Sequence, residues 1–173
     1  MDIWKRRFSI RDLLIIAAIA AGLTAVFMPK TTTREYRYEK NSCSSHVRQL
    51  SNAILLYSRD YDDKLPPRGK WSDAINPYVH YKYDMFSCPQ APGEHTLFGL
   101  PGLVKGPLYC NYSYNDKLDI NSIRKLPSPS STPMLFDSNG GWNSISPVTR
   151  AVPRHSEGFI CGYVDGHVTW VKG

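Results

Sequence analysis

The chain of 173 residues lacks most of the short motifs through which a sequence declares its chemistry. It has no G-x-S-x-G nucleophile elbow and no H-E-x-x-H helix, which excludes the usual esterase and zinc-protease frameworks. None of its four cysteines belongs to a C-x-x-C pair, which counts against a zinc ribbon or a thioredoxin-like redox site. Its five histidines, at 46, 80, 95, 155 and 167, show no ligand spacing. A basic stripe is missing too. The net charge is +6, but Lys5, Arg6, Arg7 and Arg11 crowd the N-terminus and the other basic residues are scattered, so nucleic-acid binding is unsupported. Long apolar runs are absent but for one.

That run, residues 13–28, reads LLIIAAIAAGLTAVFM, with no charge, no Pro and one Gly. Sixteen helical residues rise roughly 24 Å, less than the roughly 30 Å of a bilayer's hydrocarbon core. Starting at Phe8 gives about 31 Å and places Arg11 and Asp12 in the first turn, where Arg11 can snorkel and Asp12 can pair with it. The eight Leu, Ile, Val and Phe residues of the run favour insertion by about 2 to 5 kcal/mol. One transmembrane anchor is therefore expected, with the remainder of the chain outside the cytosol. Two other readings compete: a secretory signal peptide cleaved near Ala18-Ile19-Ala20, and a buried core helix. Four basic residues precede the run and four follow it (Lys30, Arg34, Arg37, Lys40), so the positive-inside rule gives no orientation.

Behind the run lie about 145 residues, enough for one domain with a core of its own. Eleven Tyr, 13 Pro and 12 Gly suit short strands and loops better than a helical bundle. Val47, Leu50, Ile54, Tyr57 and Tyr61 recur at steps of three and four, the apolar stripe of an amphipathic helix ended by Pro66-Pro67. Residues 71–79 read as a short helical turn, capped by Ser72 and stopped by Pro77. Residues 86–89 (FSCP) read as a strand ended by Pro, 90–107 as a long loop, and 108–114 as a weakly alternating strand. A Ser/Pro linker at 126–133 leads into a short apolar strand at 134–136 and a turn-rich loop at 137–143. Residues 158–164 and 167–171 are two β-rich runs joined by Asp165-Gly166, which predicts a hairpin with a type I′ turn.

Four cysteines, Cys43, Cys88, Cys110 and Cys161, allow two disulfides in three connectivities, or buried thiols. A calcium site has weak candidates at Asp137 and Asn139 and over 116–121. Neither stretch has the full loop spacing or a bidentate Glu. His155 and Asp165 can be imagined as an acid–base pair, but Asp165 suits a turn, and Arg154-His155, before the strand, a bond between loops. Trp71, Trp142 and Trp170 read as core residues or, failing that, a carbohydrate platform.

His155, nine intervening residues and then Asp165-Gly166 resemble the H-x9-DG signature of bacterial prepilin-type, pseudopilin-like proteins. Residues 43–66, 71–79, 86–89 and 129–137 resemble the same family, and Phe8 to Leu13 (FSIRDL) is similar to the start of a mature pilin, with Pro29 where such pilins bend. The resemblance implies an α+β, pilin-like fold: a long N-terminal helix, membrane anchor plus amphipathic half, packed on a small antiparallel sheet with a C-terminal hairpin. It implies a cytoplasmic tip and anchor over 1–29 and an extracytoplasmic domain over 30–173, single-pass in a bacterial inner membrane. Prepilin processing would fall at Arg7–Phe8, where the family has Gly before Phe, with Asp12 in place of the family's Glu. The family's pattern also suggests Cys43–Cys88 as a disulfide, leaving Cys110–Cys161 as a second pair. The implied function is structural, in a type II secretion or type IV pilus-like system, with other pilin-like subunits as partners, no cofactor and no catalysis. The alternative is an anchored, non-polymerising extracytoplasmic domain that binds a ligand or envelope partner.

Overall fold

The computed structural model describes residues 9–27, 30–91, 110–118 and 123–173. Arg7, Phe8, the bend expected at Pro29, most of the 90–107 loop and the start of the 108–114 strand lie outside them, as does part of the 116–121 calcium candidate. By their contacts the residues divide into two compact units, Met1–Tyr38 and Glu39–Gly173.

Helix α1 (Ile10–Phe27) opens on a reciprocal cap. The Ser9 N–H donates to Asp12 Oδ2 at 3.0 Å, and the Arg11 N–H reaches Ser9 Oγ at 3.4 Å. Asp12 thus closes the first turn of its own helix. Around α1, Leu13, Leu14, Ile15 and Ile16 are all exposed. The expected membrane anchor is not found: no helix among the described residues is long and apolar enough to cross a membrane. The eighteen described residues of α1 rise about 27 Å, below the roughly 30 Å of a hydrocarbon core. Single-pass anchoring in an inner membrane is corrected accordingly.

The single long N-terminal helix is not seen either: the described helical residues are assigned to α1 and to α2 (Lys30–Asp60), and residues 28–29 between them lie outside the described residues. Within the second unit, α2 buries Cys43, Val47, Leu50, Ala53 and Ile54. The stripe fades towards its end, where Tyr57 is partly buried and Tyr61 is exposed. The helix stops before Pro66-Pro67: Asp62 and Asp63 turn left-handed, and the Asp63 N–H closes back on the Ser58 carbonyl at 2.8 Å. That is a helix-ending motif of the Schellman kind.

Helix α3 (Trp71–Ile75) runs into a 3₁₀ turn, Asn76–Val79, which contains Pro77 instead of ending at it. Ser72 does not cap α3. Asn143 does so from a distant loop, its Oδ1 accepting from the Ser72 N–H at 2.8 Å and the Asp73 N–H at 3.3 Å. Of the residues expected to form a strand at 86–89, Phe86 ends a 3₁₀ turn, Tyr83–Phe86, and the other three follow it.

The sheet has five strands, β1 (Tyr112–Asn115), β2 (Pro133–Asp137), β3 (Ile145–Ser146), β4 (Gly158–Tyr163) and β5 (Val168–Lys172), in the order β3-β1-β2-β4-β5. It is mixed, not antiparallel as expected. The chain leaving β2 passes beyond β1 and pairs β3 on its far edge, parallel to it. One buried cluster joins Tyr112, Tyr114, Leu135 and Ile160 to α2. The other holds Phe136, Phe159 and Cys161, against Val148 and Ala151. Period-two alternation along β4 sends Ile160 to the first and its neighbours to the second.

The β4–β5 hairpin is present, with a different turn. The Gly166 N–H bonds the Tyr163 carbonyl at 2.9 Å, and positive φ occurs at Gly166 (+90°) but not at Asp165. The loop is therefore three residues, a turn followed by a left-handed Gly, instead of type I′. Val164, in the first position of the loop, is buried with the α2-side cluster.

Candidate functional site

At the start of β4 the chain makes a tight reversal. The His155 N–H donates to the Gly158 carbonyl at 2.8 Å, the Gly158 N–H returns to the His155 carbonyl at 3.2 Å, and Ser156 and Glu157 take positive φ between them. Trp170 of β5 holds this reversal from the side, its Nε1–H donating to the His155 carbonyl at 2.6 Å. A Cβ on Gly158 would overlap Trp170 and the Val171 carbonyl, so only Gly lets the reversal lie this close to β5.

The reversal drives the His155 imidazole into the interior, where it is fully buried. Its Nε2 lies 3.2 Å from Asp137 Oδ2 and 3.6 Å from Cys88 Sγ. Asp137, the last residue of β2, is equally buried, and its Oδ2 also accepts the Ile160 N–H at 2.7 Å. Arg154 Nε stands 3.9 Å from the other carboxylate oxygen. The same guanidinium donates through Nη2 to the Ser138 carbonyl at 2.6 Å and to Asn139 Oδ1 at 2.7 Å. A carboxylate taken out of water needs such partners. Even so, Asp137 Oδ1, His155 Nδ1, Arg154 Nη1 and Tyr112 Oη are buried without a hydrogen bond. Burial first, and then the Asp137 charge, push the Tyr112 phenol well above its ordinary range.

Cys88 is joined to Cys43 of α2 in a disulfide, with a Cα–Cα separation of 5.2 Å. The link is reinforced nearby, where His46 Nδ1 meets the Ser87 carbonyl at 2.9 Å and Asn111 Oδ1 accepts the Cys88 N–H at 2.9 Å. The second expected pair does not form. Cys110 and Cys161 remain thiols, because they belong to different clusters, Cys110 with α2 and Cys161 with Phe136 and Phe159. Burial raises the Cys161 thiol to about 12, which makes it a poor nucleophile.

The remaining sequence candidates separate. His155 precedes β4 and Asp165 follows it, so the six residues of the strand hold them on the order of 20 Å apart. The nine-residue spacing measures one strand and does not form an acid–base pair. Asp165 is engaged by its neighbour: its Oδ1 accepts the His167 N–H at 3.0 Å and faces His167 Nδ1 at 2.6 Å. Those bonds hold its carboxyl below the usual range. Gly166 supplies the left-handed residue of the turn. At the calcium candidate, Asn139 Oδ1 and the Asp137 carboxylate both face the Arg154 guanidinium, so a side-chain cation already draws on both candidate ligands.

Nor do His155, Asp137 and Cys88 make a nucleophilic triad. A triad histidine turns one ring nitrogen to the nucleophile and the other to the carboxylate. Here both partners face Nε2, and the sulfur is already bonded. The sequence names Arg154-His155 as a bond between loops, and Arg154 does bond Ser138 and Asn139, but it does not show the role of Asp137 towards His155 or the place of Cys88 beside them. An Asp closing an apolar strand (MLFD) was the available signal, since a buried carboxylate requires a cation or donors. Comparison with family models, with curated proteins and with solved structures finds no match for this chain.

Proposed function

We propose that this chain is a structural subunit or accessory of an assembly of the type II secretion or type IV pilus-like kind, acting by packing and not by catalysis. The observation that carries the reading is the use of the signature residues. His155 is buried and bound to Asp137 at the start of β4, and Asp165 and Gly166 form the turn at its end. Each is engaged in holding that strand, which leaves no free acid, base or nucleophile among them. A second observation supports assembly. Around α1, apolar side chains face outward, with Leu14 66% and Ile19 58% exposed. A helix apolar on every side is stable only when other apolar surface covers it, and the helices of neighbouring subunits are a cover of that kind.

Two variants and one cross-linking series test this. Gly166→Val forces a β-branched residue to φ near +90° and is expected to destabilise the domain by about 1–2 kcal/mol. Asp165→Asn keeps an acceptor oxygen in the turn and is expected to leave melting and function unchanged. Photo-reactive residues at Leu14 or Ile19 are expected to capture other pilin-like subunits in the native cell. Loss of function in Asp165→Asn at wild-type stability, or no subunit adduct from either α1 position, refutes the reading.

A further inference from the structure

We propose that the Cys43–Cys88 disulfide and a zinc site are two alternative states of one buried cluster, the zinc state forming when the two cysteines are reduced. The ligand atoms of Cys43, Cys88 and His155 lie within 4.8 Å of one another, and Asp137 Oδ2, outside that group, offers a fourth donor 3.2 Å from His155 Nε2. No sequence motif announces this set. Its members come from α2, from the segment after the Tyr83–Phe86 turn, from the end of β2 and from the reversal before β4.

Two of the distances match edges of a tetrahedral zinc site. Zinc–ligand lengths imply edges of about 3.5 Å between sulfur and nitrogen, about 3.3 Å between nitrogen and oxygen and about 3.8 Å between two sulfurs. The folded chain already holds Cys88 Sγ and His155 Nε2 at 3.6 Å and His155 Nε2 and Asp137 Oδ2 at 3.2 Å. The sulfur–sulfur separation has to grow, which breaking the bond between them permits, and Asp137, which is not among the atoms that lie within 4.8 Å of one another, has to close on the sulfurs. Three further features suit the ion. His155 Nε2 faces both prospective neighbours, which spoils a catalytic triad but is what a shared metal requires. Two thiolates, one carboxylate and a neutral imidazole leave the zinc complex with one negative charge, and Arg154 stands 3.9 Å from Asp137 Oδ1 to offset it. The Ile160 N–H on Asp137 Oδ2 fixes the carboxylate from outside, as outer partners of metal ligands do.

The exchange balances. A dithiol reductant transfers two electrons, the Cys43–Cys88 bond breaks, the reductant closes its own disulfide, and two thiols remain. Zinc then displaces both thiol protons to solvent. Because all four ligands are buried, the metal enters as the reduced chain folds, and while bound it withholds both sulfurs from oxidation.

The test uses the full chain, produced in a reducing cytosol with Zn²⁺ and purified under a phosphine reductant, beside the same chain oxidised to the disulfide. Elemental analysis is expected to find one zinc per reduced chain and at least about tenfold less in the oxidised one. X-ray absorption at the zinc edge of the wild type is expected to show two sulfur and two nitrogen or oxygen neighbours, which needs no variant to fold. Cys110→Ser and Cys161→Ser are expected to keep the zinc, and His155→Gln to weaken it at least about tenfold. A reduced chain without zinc, equal zinc in both redox states, or any other sulfur count overturns the proposal.

Discussion

Gly162 of β4 and Ser51 of α2 offer a sharp test of how helix and sheet are fitted together. Gly162 pairs with Leu135 of β2 on one side and Val168 of β5 on the other, so it sits inside the sheet, where a glycine ordinarily weakens a strand. Its use is to let α2 approach. A methyl group built there would stand 2.5 Å from Ser51 Oγ and 2.9 Å from Val47 Cγ1, both inside van der Waals contact. Val47 cannot turn aside, because a β-branched residue in a helix has one comfortable rotamer. Gly162→Ala should therefore destabilise by about 1–3 kcal/mol, the range for overpacking. Ser51 Oγ is buried with no hydrogen-bond partner, so Ser51→Ala should be neutral or stabilising by up to about 1 kcal/mol. In the double variant the closer of the two collisions is gone, and the destabilisation should fall short of the sum by about 0.5–2 kcal/mol, beyond the few tenths typical of independent sites. Urea unfolding followed by far-UV circular dichroism, with equal slopes for all four proteins, gives these numbers. Wild-type stability in Gly162→Ala, or strict additivity in the double variant, would refute the close packing of α2 on β4.

Leu50→Ala and Ile54→Ala, both at positions of zero exposure, should each cost about 2–5 kcal/mol, whereas Leu56→Ala, on the exposed side of the same helix, should stay within about 0.5 kcal/mol; urea midpoints that do not separate the two groups would contradict the stripe. Burial raises the Tyr112 and Tyr114 phenols above their ordinary value of 10.0, so the folded state holds their protons more tightly than the unfolded state does. The stability they contribute is then full below pH 10 and lost as the pH climbs towards their folded values. An alkaline titration should show loss of secondary structure together with the late phenolate absorbance, and two buried tyrosines that ionise at pH 10 without unfolding would contradict it.

The local patterns that turned out legible are those set by neighbours in the chain. The i, i+3, i+7 spacing of Val47, Leu50 and Ile54 marks a buried helix face, and two β-rich runs around Asp165-Gly166 mark a hairpin, because side-chain periodicity and turn conformation depend on adjacent residues. The Cys43–Cys88 pairing came through resemblance to a family, since spacing alone left three connectivities open. Long-range choices were not legible. The turn took in Val164 as a third loop residue, and the sheet became mixed because β3 found the outer edge of β1. Cys110 and Cys161 stay apart because they face different clusters, and the cap of α3 comes from Asn143, about seventy positions away. The expected anchor illustrates the other limit: an apolar composition sets a tendency, and no helix among the described residues is long and apolar enough to cross a membrane. By itself, then, the sequence determined where helix and hairpin form and which residues are apolar enough to be buried, because those follow from short-range sterics and transfer free energy. Only the tertiary structure decided that Asp137, Arg154, His155 and the disulfide meet, because a buried carboxylate selects partners by distance in space, and no period along the chain encodes that distance.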